Sequence, residues 1–220
     1  MKIADIYSEY TIMPSLQLHM LRVSAVAKFI CVNTTVSVNT PHILSACLLH
    51  DMGNILKFNL DLFPEFLQPE GKDYWQGVKD SFQKKYGPDE HEATIQIAKE
   101  LGVENRVIDL IDAFQFSLAV KNNENPDIEK KICAYADMRV EPHNIVSLKD
   151  RLKDGRKRFK LNKKNIKNDE QFYNTMAESL QHIETELFSN SAIQPSDITT
   201  DKVERYIVNL RQFDIVVTKN

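Results

Sequence analysis

Four apolar stripes in this chain, each at helical spacing, are interrupted by an ionisable side chain, and nothing else in the sequence limits the fold as strongly. On a 3.6-residue period Leu16, His19, Val23, Val26, Ala27 and Ile30 share one face of a helix expected from about Pro14-Ser15 to Cys31. Ile43, Ala46, Cys47, His50 and Asp51 share another, in a helix over about 41–51 opened by Thr40-Pro41, a cap followed by proline. His91 joins Ile95, Ala98 and Leu101 in a helix that Gly87-Pro88 starts and Gly102 stops. Asp137 joins Ile132, Cys133, Ala136 and Val140 over Asp127–Val140. Stripes of this kind face a core, and an aspartate is almost never fully buried without a partner. Singly, each imidazole reads as a hydrogen-bonded core residue, and Asp137 as an ion pair with Arg139 or Arg22. A bundle that buries three imidazoles and two carboxylates together is more economically satisfied by a shared divalent cation. Helix bundles build metal sites in this way, from ligands on facing helices.

The rest of the chain is punctuated like a helical bundle. Residues 1–13 read as a short helix or arm, and Val32–Asn39 as a loop rich in Asn, Thr and Val. The stretch from Ile55 to Tyr86 is aromatic and broken by Pro64, Pro69, Gly71 and Gly77. It reads as a long connection with short helical pieces, a kind of segment that often grips substrates. Val103–Leu118 gives a further helix, Asn122–Pro126 a turn, and Ile145–Phe159 another helix. Helices at about 168–188 and 200–212 follow, the second capped by Thr200 with Asp201 in its first turn. With no convincing β-period run, no glycine-rich phosphate loop and no internal repeat, the fold class is all-α. A bundle over residues 1–160 is expected, with a C-terminal helical extension over 161–220.

Charge and composition narrow the function. A net charge of −3 gives no general attraction to nucleic acid or membranes. No apolar run approaches the roughly 18 residues of a membrane span, and the first residues lack the pattern of a signal peptide. Cys31, Cys47 and Cys133 are odd in number and unclustered, as expected of small core residues in a reducing compartment, so a cytoplasmic location is expected. The run 149–168 carries ten Lys or Arg against two Asp, but Phe159 is its only ring. It reads as a solvated helix end rather than a nucleic-acid platform.

The ordered set of His19 in LQLHMLRVSAVAKFI, His50-Asp51 in CLLHDMGNI and Asp137 in ICAYADMRVEP resembles the signature of the HD-domain metal-dependent phosphohydrolases. That signature is a His, a His-Asp pair and a distant Asp on an all-α bundle. The resemblance covers about residues 12–160, including the Arg-Val after the first His and the Ala-Asp at the end. It implies hydrolysis of phosphate esters or anhydrides, frequently in nucleotides, with His19, His50, Asp51 and Asp137 as metal ligands. Imidazole and carboxylate without thiolate suit Mn, Fe, Co, Ni or Mg better than a closed structural zinc site. A divalent ion polarises a phosphoryl oxygen and lowers the pKa of bound water. Asp51 is then also a candidate to orient that water or to bridge a second metal.

His91, in PDEHEATIQIAKELG, sits where two-metal relatives add their first further histidine. The dinucleoside-tetraphosphate hydrolase branch has another at the end of the next helix, where this chain has Gln115 and Ser117 in IDAFQFSLAV. One ion is therefore expected, with a second through His91 as the alternative, and His91 is read as a general acid or phosphate contact. Arg22, three residues after His19, is a catalytic and substrate-binding candidate as a phosphate clamp, or else an ion pair with a site carboxylate. Lys57 is a candidate for neutralising substrate phosphate. Glu92 is a weaker acid/base candidate and reads first as a solvent-facing carboxylate. His143 is expected to be exposed, and Arg139 and Arg151 to tie the last two core helices together.

The expected function is metal-dependent hydrolysis of a small phosphorylated molecule, nucleotides first. The alternative is a non-catalytic HD-fold nucleotide-binding or regulatory module, which a degenerate ligand position would favour; none of the four is degenerate. The C-terminal stripes (Met176, Leu180, Ile183 and Leu187; Val203, Ile207 and Leu210) leave two roles open, covering the core or forming a homo-oligomer contact.

Overall fold

In the computed structural model, which describes residues 1–161 and 170–218, every regular element is helical. The helices follow as α1 (Ile3–Glu9), α2 (Pro14–Cys31), α3 (Thr40–Leu49), α4 (Lys72–Tyr86), α5 (Glu90–Glu100) and α6 (Asn105–Ile111). After them come α7 (Ala119–Glu124), α8 (Ile128–Asp137), α9 (Leu148–Leu161), α10 (Glu170–Ser189), α11 (Thr200–Glu204) and α12 (Ile207–Leu210). Short 3-10 turns at Asn54–Leu56, Pro64–Leu67, Asp112–Phe114, Phe116–Leu118 and Pro195–Asp197 link them. Among the described residues β-type pairing is limited to isolated bridges, and no helix is long and apolar enough to cross a membrane. The basic run beyond residue 161 lies outside the described residues.

α2 is the axis of the bundle. Pro14 stands in its first turn, where a missing N–H breaks no helical bond, and the ten buried residues between Leu16 and Ile30 occupy most of its circumference. It packs against α3 and α8, and α3 packs in turn on α6. α10 lies over α7 and α8, and its Tyr173, Met176, Leu180, Ile183 and Leu187 join the same hydrophobic cluster as the buried face of α2. Cys47 and Cys133 are buried and Cys31 half-buried, all as free thiols.

Several boundaries differ from the periodicity. The cap of α3 is Asn39, whose side chain accepts from the His42 N–H, so Thr40 is already helical. α3 stops at Leu49, which leaves Asp51 in the turn beyond it. α4 runs unbroken through Gly77, because Trp75, Phe82 and Tyr86 bury one face and a single glycine weakens a helix without ending it. The expected helix over 103–118 breaks at Gln115, whose ψ of 126° is extended, and the expected turn after Asn122 is the end of α7. α8 ends at Asp137 itself. The buried face of α5 is Ala93, Thr94, Ile97 and Ala98, so His91 sits beside the core face and not on it.

Candidate metal centre

The four ligand candidates arrive from three directions. His19 projects from the first half of α2, and Asp137 ends α8. His50 is the residue capping the C-terminus of α3. Its Nδ1 donates to the carbonyl of Cys47 at 2.9 Å, which satisfies one of the last-turn acceptors a helix leaves open. A carbonyl only accepts, so Nδ1 carries the proton and the lone pair is on Nε2. Phe114 stacks on the ring, centroids 4.2 Å apart and planes 17° from parallel, which fixes its orientation. Asp51 follows in the turn, where the Asn54 amide donates to its Oδ2 at 2.8 Å.

Gly53 pins that turn to α5. Its N–H donates to Thr94 Oγ1 at 2.9 Å, and a Cβ on it would fall 2.3 Å from the Glu90 carbonyl oxygen and 2.8 Å from Ala93 Cβ. No side chain fits at this approach. The His-Asp pair therefore sits on a connection locked from both sides.

The atoms converge. His19 Nε2 lies 3.1 Å from Asp137 Oδ1 and 3.5 Å from Asp51 Oδ2. His50 Nε2 is 3.6 Å from each of the same two oxygens. Ligand atoms of His19, His50 and Asp51 all lie within 4.8 Å of one another. Donors about 2.1 Å from a common ion would be about 3 Å apart at right angles and about 3.4 Å apart at the tetrahedral angle, close to the 3.1–3.6 Å found.

Electrostatics favour the same occupant. His50 Nε2 is buried with no hydrogen-bond partner, a lone pair between two carboxylate oxygens that also only accept. Burial would raise the Asp137 carboxyl, but the His19 and His50 imidazoles beside it hold it well below the ordinary carboxylate range. Burial likewise pulls His50 down, and the charges of Asp51 and Asp137 more than offset that and raise it. Two carboxylates and two imidazoles thus face one another across a gap of a few ångströms. A divalent cation held there would be compensated by the carboxylates and would take the orphaned lone pair of His50.

The cluster forms part of the wall of a cavity of about 720 Å³. Lys57 lines it and pairs with Glu90 at 3.2 Å. His91 lines it too, with Nε2 2.9 Å from Asp112 Oδ1, beside the four-residue cluster and not within it. Glu92 is exposed on the outer face of α5. Arg22 is not among the residues lining the cavity; its Nε and Nη2 donate to Glu204 Oε1 at 3.1 and 3.0 Å, a carboxylate of α11 and not of the site. Arg139 donates to the carbonyls of Val146, Pro195 and Ile198 and to the Tyr135 hydroxyl.

Asn54, Asp112, Phe114 and Arg151 are among the cavity residues or partners that the sequence does not assign to the site. Only Asn54 left a signal there, an amide three residues past Asp51. A family model for the HD domain matches residues 17–139. No curated protein and no solved structure matches the chain.

Proposed function

The chain belongs to the HD-domain superfamily of metal-dependent phosphohydrolases, and from that premise we propose that it hydrolyses a phosphate ester or anhydride bond in a small phosphorylated molecule, a nucleotide first. The observation that carries this reading is the buried, unpartnered Nε2 of His50, directed between two carboxylates in the wall of an accessible cavity. His19, His50, Asp51 and Asp137 would hold one divalent ion, with Mn, Fe, Co, Ni and Mg all compatible with the donor set. When bound, such an ion polarises a phosphoryl oxygen and acidifies bound water.

The remaining roles fall to the chain's own groups. Asp51, oriented by Asn54, can accept a proton from an attacking water or hold it in line. His91, held by Asp112 Oδ1 at 2.9 Å, can donate a proton to the leaving oxygen. Lys57 can turn from Glu90 toward a phosphoryl group, both lying on the cavity wall. Arg22 takes no part, because its guanidinium is committed to Glu204.

The test is metal analysis of protein purified without chelator, followed by phosphate release from a nucleotide panel with added Mn or Co. Stoichiometric metal, lost in Asp137→Ala together with turnover, is expected. Protein that binds nucleotide and metal but releases no phosphate under any condition would be the non-catalytic module instead.

A further inference from the structure

We propose that the half of the cavity walled by α9 and α10 recognises a planar ring joined to more than one phosphoryl group, and that Arg151 is the centre of this subsite. The proposal takes from the preceding reading only the place of the scissile phosphoryl group. The residues supplying its charge and most of its rings lie beyond the segment that matches the HD domain, which ends at residue 139.

A smaller cavity of about 290 Å³ shares Phe116, Met138, Arg151, Arg158 and Phe159 with the larger one. The two share this wall, and Met138, the residue after Asp137, lies on it. A volume of 720 Å³ is within the range of about 300–1,000 Å³ that encloses whole small-molecule ligands, well beyond the needs of one phosphoryl group.

Arg151 differs from the other largely buried arginines. Arg22, Arg106 and Arg139 each direct their donors to carboxylates, carbonyls or a hydroxyl at 2.5–3.4 Å. The Arg151 side chain is 16% exposed, its Nε is buried without a hydrogen-bond partner, and its ion pair with Asp154 is long at 3.9 Å. An underused, mostly desolvated guanidinium on a cavity wall is an anion-binding group, since a phosphoryl group accepts its forked donors two at a time. Arg158, 56% exposed and bonded to Asp154 at 2.8 Å, puts a second positive charge on the same wall.

The rings stand next to that charge. Phe159 packs on Tyr173 with centroids 5.4 Å apart and faces Phe172 at 6.5 Å and 21°, and Phe116 meets Tyr173 at 5.1 Å. Gly155 makes the arrangement possible, because a Cβ there would lie 2.9 Å from the Tyr173 hydroxyl. Phe172 is 40% exposed and lines the larger cavity, an apolar face that a stacked ring would cover. Carboxylates crowd the metal-donor region and arginines the other, so a ligand bound across the cavity carries one phosphoryl group toward the ion and another toward Arg151.

Calorimetric titration of chelator-treated, full-length protein with ADP, AMP, adenosine and pyrophosphate reads this directly, without turnover. ADP is expected to bind most tightly. Arg151→Ala should weaken ADP and pyrophosphate about 10–100-fold and leave adenosine unchanged. Phe159→Leu should weaken ADP and adenosine about 5–10-fold and leave pyrophosphate unchanged. Arg151→Lys, which keeps the charge and loses the fork, should fall between, and Arg205→Ala on the exposed surface should match wild type. Wild-type protein that ignores ADP, or Arg151→Ala that binds it normally, overturns the subsite. Steady-state kinetics separate the two readings. Unchanged KM and kcat in Arg151→Ala beside an inactive Asp137→Ala would sink the subsite alone, whereas Arg151-dependent binding with no phosphate release under any metal would sink the hydrolase alone.

Discussion

At the scale of single residues, one hydrogen bond decides which nitrogen of His50 faces the cavity, and one missing Cβ decides where Asp51 sits. A ligand that binds only the folded chain stabilises it by about 2.7 kcal/mol at a hundredfold excess over Kd. Mn or Co is therefore expected to raise the Tm of the wild type by several degrees and to leave Asp137→Ala unmoved, as read by thermal unfolding with and without metal. An equal shift in both would mean the ion binds elsewhere. Gly53→Ala would force the turn away from α5 and cost about 1–3 kcal/mol in urea unfolding, as overpacking does. Because that turn carries Asp51, metal affinity should fall with it. A wild-type stability for Gly53→Ala would show that the turn is not held where the contacts place it.

At the scale of elements, the end of α8 that carries Asp137 is steadied from its other end. Asp127 caps α8 by accepting from the Glu129 N–H, and Arg106 of α6 bonds Asp127, Glu129 and Asp109. Burial raises the Asp127 carboxyl, but its hydrogen bond and charge interaction with Arg106 outweigh it and leave it below the ordinary value. A carboxylate lowered in the folded state contributes stability that is fully present above its unfolded pKa of about 4 and is lost as the pH falls through the lower folded value. Wild-type protein should lose this contribution below about pH 4, and Arg106→Gln should be less stable at neutral pH with a flatter acid limb. Denaturant midpoints across that range check it, and parallel acid limbs would exclude Arg106 as the cause. Periodicity located α2, α3, α5, α8 and α10 because each buries a regular stripe. It misjudged α4 and the 103–124 region, where an internal glycine, an extended Gln115 and short 3-10 turns leave too few periods for a stripe to register.

At the scale of the whole molecule, the last described residues close the bundle. Phe213 accepts from Ile3, Ile215 donates to Met1, Val216 donates to the Ser45 hydroxyl and Thr218 donates to Gly102, so one strap crosses α1, α3 and the end of α5. Truncation after Gln212 is expected to remove on the order of 3–5 kcal/mol, counting these bonds and the lost burial of the Ile215 side chain. Unfolding followed by the fluorescence of Trp75, the single tryptophan, and by helical circular dichroism should give one coincident transition, because α10 and α2 share a core. Separate transitions would mean that the residues after 160 fold as their own unit. The sequence by itself determined that the chain is helical and singled out His19, His50, Asp51 and Asp137 as one set, because periodicity records which residues face inward. Only the tertiary structure decided that Arg22 belongs to Glu204, that Phe114 orients His50, and that Arg151 faces a ring-lined cavity with its donors underused. Those pairings join residues brought together by the crossing of helices, and the spacing along one helix carries no record of what another presses against it.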